Sequence, residues 1–141
     1  MKGKDTCKLM QELKNSKQIE KFMSDNEQEL QVPALHKHLN SLLQKKAYFK
    51  ADFIKKSGLD RSYAYHILAG HKQPSRDKLI IMALTLELSL LEVQQLLKYA
   101  GFRELYVRDK RDGLIIYAIN NKLTVLRTNE LLHDFSKDIL K

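Results

Sequence analysis

The stretch KADFIKKSGLDRSYAYHILAG, residues 50–70, decides how the rest of the chain is read. Its first part places Ala51, Phe53 and Ile54 inward on a short helix, with Lys55 and Lys56 outward. Gly58 follows at once, as a glycine does past a helix C-terminus, where the chain turns left-handed. Asp60 is a natural N-cap, its carboxylate placed to accept from an orphan N–H of the next first turn. The helix it opens carries Ala64, Ile67 and Leu68 on an inner face and Arg61, Ser62, Tyr65 and His66 on an outer one, and Gly70 closes it. The pattern is two short amphipathic helices joined by a glycine turn.

Upstream, Pro33 suits the first turn of a helix, where its missing N–H is no loss. Leu35, Leu39, Leu42 and Leu43 then recur at i, i+4, i+7 and i+8, one apolar stripe. Nearer the start, Thr6 caps a short helix with Leu9, Met10 and Leu13, broken at Asn15-Ser16. Ser16 would cap another with Ile19, Phe22, Met23 and Leu30. Downstream, Pro74 and Ser75 open a helix with Asp77 in its first turn, where a carboxylate suits the helix dipole. Leu79, Ile80, Met82, Ala83, Leu84 and Leu86 make that helix apolar almost all round, so it is the central, buried one. Ser89 and Glu92 fit a capping box, Leu88 and Val93 a hydrophobic staple, and Gly101 ends the helix they start. Past Phe102, the run 114–119 fits a short strand or a buried helix. Asp112 as a cap and the helical neighbourhood favour helix. A last helix from Thr124 is expected to bury Val125, Leu132, Phe135 and Ile139. The expected class is all-α, with no repeat or low-complexity tract.

Composition agrees. In 141 residues, 43% apolar and 30% charged side chains suffice for a core. The one cysteine, Cys7, argues against a disulfide framework or a cysteine-based zinc site. There is no signal-peptide pattern and no run near the ~20 apolar residues of a membrane span. A soluble, cytoplasmic protein without membrane attachment is expected. The formal charge is +8, and it is localised. Residues 1–35 balance, 79–141 carry a surplus of one, and 36–78 hold ten basic against three acidic side chains, with four of the five histidines. A local surplus of this kind is the electrostatic footprint of a nucleic-acid surface, although a merely solvated basic face has the same composition.

Two helices around a glycine turn form the helix-turn-helix arrangement, whose second helix lies in the DNA major groove while the first crosses the backbone. Over 35–101 the chain resembles bacterial and phage repressors of the Cro/C1 type, the Xre family. The resemblance rests on Ser57-Gly58-Leu59, on Ile67-Leu68-Ala69-Gly70, on the helix after Pro74-Ser75-Arg76, and on Leu86-Glu87-Leu88-Ser89. Lys98-Tyr99-Ala100-Gly101, Arg111-Asp112 and Asn129-Glu130-Leu131-Leu132 are similar to a subgroup of small regulators from Gram-positive bacteria. The resemblance implies a lambda-repressor-like, five-helix DNA-binding domain at 32–101, with helical extensions at 1–31 and 102–141. It implies base contacts for Arg61, Ser62 and His66, with Tyr65 beside them, and phosphate contacts for Lys50, His71, Lys72 and Arg76. The family's usual small residue in the first motif helix is replaced here by Ile54.

The chemistry of the residues points the same way. The guanidinium fork of Arg61 can hold guanine O6 and N7 together, whereas Lys and His charges suit phosphates, which position without reading sequence. Tyr63 and Tyr65 suit a DNA contact or a half-buried surface equally. His36 and His38, two apart on a helix, do not face each other as metal ligands would. Cys7 has no base or oxyanion hole placed beside it and no glycine-rich phosphate loop exists, so neither catalysis nor a cofactor is expected. The apolar residues of 102–141 either complete the core or pair two copies. The expected function is a sequence-specific, homodimeric transcriptional regulator of repressor type on double-stranded DNA. The alternative is an antitoxin or adaptor that holds a protein partner through its flanking helices.

Overall fold

A computed structural model describes residues 6–15, 19 and 34–141, and among them the chain is all-α, with eight helices and no strand. The chain divides into two units, 1–33 and 34–141. In the first, α1 (Thr6–Asn15) takes Thr6 into the helix itself. The expected helix over Ser16–Leu30, apart from Ile19, and the placing of Pro33 lie outside the described residues.

The second unit holds α2 (Leu35–Lys45), α3 (Lys50–Ser57), α4 (Arg61–Leu68), α5 (Arg76–Thr85), α6 (Leu90–Tyr99), α7 (Lys110–Asn120) and α8 (Val125–Asp134). The expected stripe of α2 is real: Leu35, Leu39, Leu42 and Leu43 are all buried. In α5 every residue from Leu79 to Thr85 is buried, and this helix packs against α3, α6 and α8. It is the axle of the unit. Side-chain caps start five of the helices: Asp60, Ser75, Ser89, Asp109 and Thr124 each accept from a backbone N–H three residues on. At Ser89 the full capping box with Glu92 is formed.

Several details differ from expectation. Ala51 is exposed, and only Phe53, Ile54 and Ser57 of α3 are buried. The cap of α7 is Asp109, three residues before Asp112, because the run 114–119 extends backwards into a full helix. Asp112 instead lies in the first turn, 1% exposed. In α8, Leu132 is buried but Phe135 is 60% exposed just past the helix, and Leu140 takes the buried place expected for Ile139. Residues 102–141 share one apolar core with 34–101: Leu105, Ile115, Ala118, Ile119, Leu132 and Leu140 join the cluster built on α2 to α6.

Two crossed ion pairs fasten that junction. Arg76 gives both its terminal nitrogens to the Asp112 carboxylate, at 3.1 and 3.0 Å. Arg111 does the same for Asp77, at 3.1 and 2.9 Å. Arg-Asp at the start of α5 thus clasps Arg-Asp at the start of α7. Arg111 also donates to the carbonyls of Asp138 and Ile139, which seats the segment after α8.

Candidate functional site

The site begins with the turn between α3 and α4. Gly58 has φ +73 with open space around its Cα, so glycine is there for its left-handed backbone alone. The buried Ser57 hydroxyl donates to the Ile54 carbonyl at 2.7 Å and accepts from the Leu59 N–H at 3.2 Å. That closes the turn from inside and sets the entry of α4. At the far end, the Asn40 side-chain nitrogen donates to the Leu68 carbonyl at 2.8 Å and to the His36 carbonyl at 2.7 Å, tying the last residue of α4 to α2. Gly70 follows with φ +84, and a Cβ there would stand 2.6 Å from the His36 ring. Asn40 and His36 are positioning residues that no sequence pattern singles out, since their partners are far along the chain.

Held at both ends, α4 buries Ala64, Ile67 and Leu68 and turns the other side out. Arg61, Ser62 and His66 are exposed and Tyr65 is half-buried. The Arg61 guanidinium lies 5.8 Å from the centre of the Tyr65 ring, and the rings of His66 and His71 are 5.9 Å apart. Lys72 is exposed, with its ammonium 5.4 Å from the Tyr63 ring, and Lys78 approaches the same ring at 5.7 Å. Cations over aromatic faces are attracted by the ring quadrupole, by about 0.5–1 kcal/mol at exposed sites. Lys78 was not among the expected site residues.

Lys50, at the first turn of α3, is exposed and borders a separate cleft of about 400 Å³ with Asn40, Tyr48 and the 79% exposed Phe49. Arg76 does not join the group. Its guanidinium is consumed by Asp112 and by the Arg103 and Glu104 carbonyls, and its side chain is 18% exposed. Four of its five N–H donors are used within the protein, so Arg76 fastens the junction with α7 and does not stand free as a phosphate contact would. Lys45 and Lys46 are likewise engaged, both pairing with Glu92.

A groove of about 440 Å³ runs between α3 and α4. Ala51, Ile54, Lys55, Leu59, Arg61 and Tyr65 line it. Among the described residues no three His, Cys, Asp or Glu side chains converge as metal ligands would. No helix among the described residues is long and apolar enough to cross a membrane. The chain matches no protein-family model, and no curated protein or solved structure is significantly similar to it.

Proposed function

We propose that the unit 34–141 is a sequence-specific DNA-binding regulator of repressor type, acting in the cytoplasm. The observation that carries this reading is the outer face of α4. Four side chains suited to base edges, Arg61, Ser62, Tyr65 and His66, stand on a helix whose entry turn is closed by the Ser57 hydroxyl and whose last carbonyl accepts from Asn40. On this reading α2 to α6 form a lambda-repressor-like domain of the Cro/C1 type, α3 crosses the backbone, and α4 enters the major groove. Lys50, His71 and Lys72, joined by Lys78, hold phosphates. The surplus of positive charge over 36–78 supports it, because phosphate neutralisation supplies the sequence-independent part of affinity.

A single small module makes a modest interface, so a homodimer reading two half-sites ~34–36 Å apart is part of the proposal. Leu91, Val107, Leu126 and Phe135 are exposed apolar side chains on elements other than α4. They fit pairing of two copies, or a partner held in the manner of an antitoxin or adaptor.

The test is selection of bound molecules from random duplex DNA at two salt concentrations. The expected outcome is enrichment of a palindrome. Arg61→Ala should relax the choice at one base position, worth about 1–3 kcal/mol of discrimination. Lys50→Ala should weaken all sequences alike and lower the salt slope by about one. Weak binding without enrichment that vanishes at higher salt would overturn the reading.

A further inference from the structure

The end of α4 brings two histidines together. His66 lies in the last turn of the helix, and its carbonyl accepts from the His71 N–H at 2.9 Å and from the Lys72 N–H at 3.3 Å. The chain therefore turns back towards His66, passing through Gly70 at φ +84. The His36 ring packs against that turn, 2.6 Å from where a Cβ at residue 70 would stand. As a result the His66 and His71 rings lie 5.9 Å apart, tilted by 45° and so not stacked on each other. With metal–nitrogen bonds of about 2.0–2.1 Å, two imidazoles sharing one ion have ring centres roughly 5–6 Å apart.

We propose that His66 and His71 form a two-histidine site for a divalent transition-metal ion at the end of α4. Both side chains are exposed, so an ion reaches them without rearrangement of the core. The chain from 61 to 76 holds no Asp or Glu. Neutral imidazoles without a carboxylate suit Cu²⁺, Ni²⁺ and Zn²⁺, whereas Mg²⁺ and Ca²⁺ take oxygen ligands. Among the described residues no third His, Cys, Asp or Glu joins the pair, so water fills the ion's remaining positions. The turn supplies the preorganisation that two surface histidines otherwise lack. Backbone bonding ties His71 to the residue that carries the other ligand, so less freedom is lost when the ion binds. The site needs only the two rings and does not rest on the DNA-binding reading.

The experiment is urea unfolding of the full chain, alone and with Zn²⁺, Ni²⁺ or Mg²⁺ in a non-chelating buffer. An ion that binds only the folded chain raises the midpoint in step with the logarithm of its concentration. Zn²⁺ and Ni²⁺ should do so, and Mg²⁺ should not. His66→Ala and His71→Ala, at exposed positions, keep the fold and should each lose the rise. Cys7→Ser and His133→Ala remove the exposed thiol and the other exposed histidine, and both should keep it. Trace Cu²⁺, which is paramagnetic, should broaden the imidazole NMR signals of His66 and His71 before that of His133. No rise with either ion, a rise that survives the loss of His66 or His71, or one that disappears with Cys7 or His133 would overturn the site.

Discussion

Asp112 is 1% exposed, and its charge is met by both terminal nitrogens of Arg76, by the Tyr106 N–H at 3.0 Å, and by Arg103 at 3.7 Å. Without Arg76 the buried carboxylate keeps only the Tyr106 N–H and the longer, exposed Arg103 contact. Arg76→Met is therefore expected to cost about 3–5 kcal/mol in urea unfolding, and adding Asp112→Leu should recover much of it, since the stranded charge goes too. Lys72→Met, at an exposed site, should stay within about 0.5 kcal/mol. Glu92 is a second carboxylate whose environment sets its charge. The Ser89 N–H, and then Lys46, hold its pKa down to about 2 from an ordinary 4.5. Its folded pKa lies below its unfolded one, so the stability it gives is complete above pH 4.5 and is lost as pH falls towards 2. Glu92→Gln keeps a capping-box side chain without the ionisation. Stability measured at pH 6 and near pH 3 should fall less in that variant than in the wild type; an equal fall would place the acid sensitivity elsewhere.

Helices α2 to α8 each end on a residue with positive φ, yet only Gly58, Gly70 and Gly101 are glycines. Ala47, Glu87, Lys122 and Ser136 close the other four at φ between 54 and 59. The bond that follows is the same at these four: the next N–H reaches back to the carbonyl five residues earlier, as Tyr48 does to Leu43 at 2.9 Å. A non-glycine residue there is strained by its Cβ, so Ala47→Gly should raise stability by about 0.5–1 kcal/mol, read from the midpoint of denaturant unfolding. This regularity also explains what could be read from the chain. Starts of helices at Asp60, Ser75, Ser89 and Thr124 were legible because a capping oxygen and its N–H are three residues apart. Ends without glycine carry no such signal. The start of α7 was misplaced at Asp112 because Asp109 and Asp112 are chemically equal caps. What separates them is Arg76, 36 residues away. The role of Arg76 in that long-range pair, and the Asn40 bond to Leu68, 28 residues on, were invisible for the same reason. The outer face of α4 was legible because helical periodicity alone divides Arg61, Ser62, Tyr65 and His66 from Ala64, Ile67 and Leu68.

At the scale of the whole unit, the question is whether 102–141 is an appendage or part of what holds α4 in place. Leu132 is fully buried on α8, which packs on α5, and α5 packs in turn on α3, the partner of α4. One continuous cluster contains Phe53, Ile67, Leu79, Ile115 and Leu132, and the crossed pairs Arg76–Asp112 and Asp77–Arg111 join the starts of α5 and α7. A core shared in this way is expected to unfold as one cooperative unit. Leu132→Ala leaves a cavity and is expected to cost about 2–5 kcal/mol. If the unit is cooperative, that loss is transmitted to residues α8 never touches. Hydrogen exchange at the Ile67 and Leu68 amides should speed up by the full free-energy change, to the same degree as at Ile119 in α7. Faster exchange confined to α7 and α8, with the α4 amides unchanged, would show instead that 34–101 folds independently and that the crossed ion pairs only dock the rest upon it.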